Sequence, residues 1–243
     1  MADVCKGCDG RTFNDRVDRD NCMKVKRVPC GRCNATGNEP GPSKGKRPFF
    51  RKKDPEMAAR IPPGQHLTRG WPVLSASPIP RFDPSTWRFR CTGLCDGVDW
   101  SWDEFRALPQ ITITSDIHCV TAWSKLDNKW DGVLFSEVAK RAGVKPEATH
   151  ALVKAPYDYD ANLPIDALMD DDVLFAWNHD GEPLEPKHGG PLRLVVPKRY
   201  FWKSTKWANE VEFLDHDQRG FWEVRGYHNE AFPFEEQRYS WQE

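Results

Sequence analysis

The 243-residue sequence has no run of about 18 apolar residues, which excludes a membrane-spanning helix. It has no excess of charge either: Lys+Arg 35 against Asp+Glu 36 leaves −1, which excludes a uniformly basic nucleic-acid binder. No basic n-region, apolar h-region and small-residue cleavage site open it, nor a twin-arginine signal, so a cytoplasmic location is expected. Cys-x-x-Cys-His is missing, and so is a Gly-x-Gly-x-x-Gly after a strand, which removes covalent haem and a dinucleotide fold from consideration. Long periodic repeats and βαβ alternation are absent as well.

What is present is unevenly distributed. Residues 1–60 hold 15 Lys/Arg and 8 Asp/Glu, a net of +7, leaving 20 and 28, a net of −8, for the rest. Five of the eight cysteines fall in the first 33 residues. Residues 38–60 are rich in Pro, Gly, Lys and Arg with little to bury, and read as a basic flexible linker between a cysteine-rich segment, 1–37, and a globular domain, 61–243. The basic arm could meet nucleic acid or an acidic protein, although charge runs are more often simply solvated.

Cys5-Lys-Gly-Cys8 and Cys30-Gly-Arg-Cys33 form two Cys-x-x-Cys knuckles with 21 residues between them. Two residues between thiolates let one tight turn offer both sulfurs to one ion, and four thiolates complete a tetrahedral, structural Zn2+ site. The Cys-x-x-Cys-x-Gly pattern resembles the cysteine-rich zinc repeats of J-domain chaperones. A redox pair would need a thioredoxin-like context that this charged stretch lacks, and a disulfide framework is not expected in the cytosol. Cys22 is left without a partner.

The globular part reads as an α+β domain, strand-rich with short helices. Trp87–Gly93 alternates apolar and polar residues as a half-buried strand does, and Ser101 caps a short helix that ends before Pro109. Ile111–Cys119 reads as a strand, and Phe135–Gly143 as a helix stopped by Gly. Asp172–Trp177 and Leu192–Pro197 are strand-like, with the turn signal Asn178-His-Asp-Gly between them.

Cys119 ends its strand and precedes a polar loop. On residue type alone it reads first as a small core hydrophobe. Arg193, with the loop Lys203-Ser-Thr-Lys206, has the composition of an anion clamp: a guanidinium fork, ammonium groups, hydroxyls and backbone N–H donors.

Four separated segments change the weighting: Pro78–Phe89, Ile117-His-Cys-Val-Thr-Ala-Trp-Ser124, His188-Gly-Gly-Pro-Leu-Arg193 with the strand after it, and Tyr200-Phe-Trp-Lys-Ser-Thr-Lys206. In this order, from Gln65 onward, they resemble the sulfite-oxidase-like molybdopterin oxidoreductases, closer to the methionine-sulfoxide reductase catalytic subunit than to animal sulfite oxidase. The resemblance implies a mixed, strand-rich sulfite-oxidase fold preceded by a zinc-ribbon-like segment. It also implies a Mo-molybdopterin cofactor with Cys119 as the protein ligand to molybdenum. A soft thiolate suits a metal held by dithiolene sulfurs. His188, Arg193, Ser204, Thr205 and Lys206 are carried over as cofactor contacts, with Lys203 secondary and His188 standing where the reductase has Asn. His118 should point away from Cys119 and pack.

Two departures bear on function. The entry segment, Val73-Leu-Ser-Ala-Ser-Pro, lacks the Asn or Arg-Asn-His contact of the family, for which His66 is a substitute candidate. Ala122-Trp123-Ser124 stands where sulfite oxidase has an Arg pair, which disfavours sulfite. The expected activity is oxygen-atom transfer with two-electron cycling on a small or peptidyl substrate, such as a sulfoxide, N-oxide or sulfite-like compound, with electrons exchanged with a separate protein. Lys125, Asp127 and Tyr157 are candidates for the mouth. The alternative is a zinc-knuckle adaptor binding nucleic acid or protein through its basic arm.

Overall fold

The computed structural model describes residues 55–243 and, of the remainder, only the backbone of two strands, β1 (Phe13–Val17) and β2 (Val25–Pro29). These pair antiparallel, from Phe13 opposite Pro29 to Val17 opposite Val25. Cys5, Cys8, Cys22, Cys30 and Cys33 lie outside the described residues.

Asp54–Glu243 forms one compact unit. It opens with α1 (Pro55–Ala59), inside the stretch read as linker, where Pro at the first helical position loses no hydrogen bond. Arg60 follows and is held by Asp116 at 2.6 Å and Asp127 at 2.5 Å, so the folded part begins before Ile61. The chain then runs β3 (His66–Leu67), β4 (Arg88–Gly93), β5 (Val98–Ser101), α2 (Trp102–Arg106), β6 (Ile111–Cys119), β7 (Trp123–Leu134) and α3 (Phe135–Ala142). It continues through β8 (His150–Ala155), β9 (Tyr159–Pro164), α4 (Ile165–Leu168), β10 (Leu174–His179), β11 (Glu182–Pro183), β12 (Arg193–Val195) and β13 (Glu210–Leu214).

One sheet has the order β11-β10-β7-β3, with β12 added to β10 and β6 to β7; the other has the order β5-β4-β13-β8-β9. β3 on β7 and β13 on β4 are parallel and the remaining pairs antiparallel, which makes both sheets mixed. The turn at Asn178–Gly181 forms as expected, with Asp180 and Gly181 both at positive φ, but its return strand is the two-residue β11. β12 reaches β10 only after a 3-10 turn at Pro186–His188. Among the described residues no helix is long and apolar enough to cross a membrane.

Local signals match these elements. Ser101 caps α2 in a reciprocal capping box with Glu104, and α3 stops at Gly143, φ 63. In β4 the alternation turns Phe89 and Cys91 inward, where they join Phe105, Val133, Phe135, Phe175, Leu194 and Phe213 in a core drawn from both sheets. Each such buried side chain contributes on the order of 1.5–3 kcal/mol through removal from water.

A second cluster, built on Ile117, Cys119, Trp123, Trp130 and Leu174, lies on the first sheet. Trp123 and Trp130 are seven residues apart on one strand, so strict alternation would put them on opposite faces. The register slips between Ser115 and Ile117, setting Leu126 and Asp127 of β7 against Asp116 alone, and the two indoles meet one cluster. Asp127 takes φ 57 there, and its N–H donates to Asp116 Oδ1 at 3.0 Å.

Candidate active site

Cys119 is the last residue of β6 and faces Trp123 across the ribbon. The turn between them is closed by Ala122 N–H donating to Cys119 O at 3.0 Å, with Ala122 at φ 72. The residue is 8% exposed, with the Thr121 hydroxyl 3.1 Å from Sγ. Burial pushes the thiol pKa up, while the Thr121 hydroxyl and the charges of Arg238 and Lys206 pull it down. The indole Nε1 of Trp123 is buried and has no hydrogen-bond partner.

Arg193 on β12 is fully buried. It donates through Nη1 to His188 O (2.6 Å) and through Nη2 to Ser204 O (2.9 Å), and its Cζ sits 4.1 Å from the Phe201 ring. Lys206 is its antiparallel bridge partner and donates to Leu74 O (2.6 Å) and Lys187 O (2.9 Å). Neither cation is bonded to a carboxylate among the described residues. Burial lowers Arg193 to about 9; burial and then the Arg193 charge lower Lys206 to about 7. A buried charge without a counter-ion is costly, so this corner is suited to an anion. That donor set, with the orphaned indole N–H of Trp123, the cross-strand partner of Cys119, fits a phosphate-bearing, sulfur-rich cofactor.

The remaining expected contacts divide. His188 is buried and stacks flat on Trp71; burial first, then the Arg193 and Lys206 charges, lower its pKa to about 4. Gly189, φ 110, follows it with Lys206 Cβ 3.0 Å from where its own Cβ would stand, so the backbone passes close to Lys206. Ser204 Oγ accepts from Val196 N at 3.0 Å and the Thr205 hydroxyl donates to Val153 O at 3.2 Å, so both hydroxyls are used inside the protein. Lys203 turns away altogether. Its Nζ bonds to Asn162 O, Asn162 Oδ1 and Glu223 Oε1 at 2.7–2.9 Å.

His118 does point away from Cys119, bonding to Ser124 Oγ at 2.8 Å, and burial lowers it to about 4. His66 is exposed and contributes its backbone N–H to Ala122 O. Lys125 is held by Asn128 and Asp180, Asp127 by Arg60, and Tyr157 is exposed between β8 and β9; these three do not gather at the thiol. Cys91 is buried in the core and Cys95 packs on it, both as free thiols.

Trp71 was not among the expected residues. It stacks on His188 at 3.9 Å, lies 4.5 Å from His179 and meets Trp130 edge-on at 5.5 Å. Trp71 thus brings an aromatic to this corner from just before the entry segment, in which Leu74 O and Ser75 Oγ accept from Lys206 Nζ. A bulky aromatic between Gly70 and Pro72 in an irregular stretch was the signal that could have found it. Trp71, His179, Glu182, Glu185, Lys187 and His188 line a cavity of about 410 Å³. Of the expected site residues only His188 lines it.

The chain is a molybdopterin-binding oxidoreductase: residues 76–222 match the oxidoreductase molybdopterin binding domain, the family to which it belongs. It is similar to the uncharacterized oxidoreductase YuiH of Bacillus subtilis, with 40% identity over 195 residues, 79% of this chain and 98% of the relative. The putative protein-methionine-sulfoxide reductase subunit YedZ1 of Azospira oryzae is 27% identical over 72% of this chain and 68% of its own length. The protein-methionine-sulfoxide reductase catalytic subunit MsrP of Gluconobacter oxydans is 31% identical over 58% and 51%. In fold the chain is similar to the sulfane dehydrogenase SoxCD of Paracoccus pantotrophus, with a TM-score of 0.52 and 23% identity over 57% of this chain and 40% of that one.

Proposed function

We propose that this oxidoreductase holds a Mo-molybdopterin cofactor with Cys119 as the protein ligand to molybdenum, and transfers an oxygen atom to or from a small or peptidyl substrate. The carrying observation is the carboxylate-free pair of neighbours Arg193 and Lys206, of which the Lys206 charge acts on Cys119. When bound, the cofactor supplies the two-electron couple and the oxygen exchange. The protein's part is placement. Arg193 offers a fixed guanidinium edge, and an anion beside Lys206 favours its ammonium form. His188, lowered to about 4, stays neutral at pH 7 and can donate one N–H. The Thr205 hydroxyl and the Ser204 N–H are already donated, to Val153 O and Phe201 O, so the Ser204 hydroxyl, whose oxygen only accepts from Val196 N, would be the side-chain donor left to reach the phosphate.

Among sulfoxides, N-oxides and sulfite-like compounds, neutral oxygen donors come first. Two relatives are named as methionine-sulfoxide reductase components, and Ala122-Trp123-Ser124 lacks the Arg pair that a sulfite site would use. A separate electron-transfer protein exchanges the electrons. The free thiols at Cys91 and Cys95 fit a reducing cytoplasm.

A structural Zn2+ on Cys5, Cys8, Cys30 and Cys33 is part of the reading. In its support stand the two Cys-x-x-Cys spacings and, between them in the sequence, the antiparallel pair β1 and β2. The adaptor alternative gains nothing from a family of oxidoreductases.

Metal analysis of the full chain tests these readings together. About one molybdenum and one zinc per chain are expected, with Cys119→Ser losing the metal's optical spectrum while keeping zinc. Zinc without molybdenum, in cells supplied with cofactor, would return the adaptor. An anaerobic assay against sulfoxides, N-oxides and sulfite then ranks substrates.

A further inference from the structure

Three side or main chains from outside β6 and β7 hold the turn that carries Cys119. Gln65 Nε2 donates to Cys119 O at 3.0 Å, His66 N–H to Ala122 O at 2.9 Å, and Arg238 Nη1 to Val120 O at 3.1 Å. Arg238 comes from the far end of the sequence. Its Nη2 donates to Pro63 O at 3.2 Å, and its Cζ lies 5.0 Å from the ring of buried Tyr200. Its side chain is 15% exposed, and the Glu236 carboxylate stands 3.7 Å off, beyond a good hydrogen bond.

Its backbone is fixed as well: the N–H donates to Gln242 Oε1 at 2.8 Å, and the carbonyl accepts from His228 N at 3.2 Å. One planar guanidinium thus ties the residue after Cys119 to the lead-in before β3 and lies over Tyr200. An ammonium could keep the charge, but not reach two carbonyls while stacking. The arrangement is aimed at the sulfur in two ways. Holding Val120 O fixes the peptide that follows Cys119, and it keeps a permanent positive charge within hydrogen-bond distance of the residue next to Cys119.

We propose that Arg238 is a positioning residue for Cys119, fixing the direction of its sulfur through Val120 and setting a permanent positive charge beside it. In its electronic part this rests on Cys119 being the molybdenum ligand; the geometric part does not need the metal. A positive charge near the ligand favours the more negative, reduced form of the centre, and lowers the energy of the sulfur lone pairs.

The test uses the full chain carrying Arg238→Met, Arg238→Lys and, as a control in the same region, Arg225→Lys, whose guanidinium lies 3.7 Å from the Phe221 ring. In metal-free protein, Cys119 alkylation by a maleimide, read by peptide mapping, is expected to speed up several-fold in Arg238→Lys, which keeps the charge as the turn loosens, to rise less in Arg238→Met, where the thiolate also loses its positive neighbour, and to stay unchanged in the control. In cofactor-loaded protein, Arg238→Met is expected to lower the midpoint potential and move the sulfur-to-metal absorption band to longer wavelength, with Arg238→Lys between it and the parent. If Arg238→Met fails to fold, the Lys variant decides, because it keeps the charge and loses the bridge. A parental alkylation rate in that variant would overturn the proposal. A spectrum that survives Cys119→Ser would instead remove the ligand assignment, and alkylation would still decide whether Arg238 positions the turn.

Discussion

His188 lies flat on Trp71, with ring centroids 3.9 Å apart and planes within 10°. The stack joins the entry segment to the turn before β12, next to Arg193, whose Cζ is 5.5 Å from the same indole. It makes Trp71 a wall of the cofactor corner. Replacing it with Ala should remove a stack of about 1 kcal/mol along with its buried area, and reduce molybdenum per purified chain more than it lowers the melting temperature. Trp71→Phe should retain most of the metal, and equal loss in both variants would argue against stacking as the reason.

Arg193 is expected to be intolerant even of Lys. Its two N–H bonds satisfy His188 O and Ser204 O, and leaving buried carbonyls unpaired costs about 1–3 kcal/mol each. Arg193→Leu and Arg193→Lys should both yield protein with little bound molybdenum, measured by elemental analysis after gel filtration.

His118, His179 and His188 are all lowered to about 4, in each case chiefly by burial. In the unfolded chain they take up protons near the usual 6.5, so the unfolded state binds more protons between that pH and about 4. Stability should therefore fall as pH drops through this window. Denaturant titrations of metal-free protein at pH 7 and pH 5 should differ by an uptake approaching three protons on unfolding, and a flat profile would contradict the burial of these rings.

Lys206 has the same sign in a higher pH window. Its folded value of about 7 lies below the usual 10.5, so the unfolded state holds more protons above pH 7. Metal-free protein should gain stability as pH rises from about 7 toward 10, and Lys206→Met should flatten that rise. With the cofactor bound, the dependence should weaken, because an anion restores the ammonium form.

Lys203 and Glu223 form a buried ion pair at 2.7 Å, with side chains 1% and 0% exposed. Glu223→Ala would strand the ammonium and should destabilise the domain by about 3–5 kcal/mol, read from urea unfolding. The loss should appear in metal-free and loaded protein alike, since Lys203 faces Asn162 and not the thiol.

That last residue shows what the sequence could and could not convey. Lys203 to Lys206 read as one clamp by composition, yet the four side chains go to four destinations: Asn162 and Glu223, Val196, Val153, and Leu74 with Lys187. Composition gives donors, while direction comes from the local backbone. Strand ends and caps were legible because they depend on near neighbours, as at Ser101, Gly143 and Cys119. Trp71 and Arg238 were not, since each acquires its role from partners more than 100 residues away. The register slip in β7 left no trace beyond an Asp in a polar loop.

That slip divides the β6–β7 ribbon into two lengths whose facing is set independently. Deleting Leu126 or Asp127 would restore unbroken alternation and oblige one indole, Trp123 or Trp130, to roll to the outer surface. A one-residue length change thus acts as a half-turn of the segment bearing the reactive sulfur, an exchange of inside for outside that no side-chain substitution there could produce.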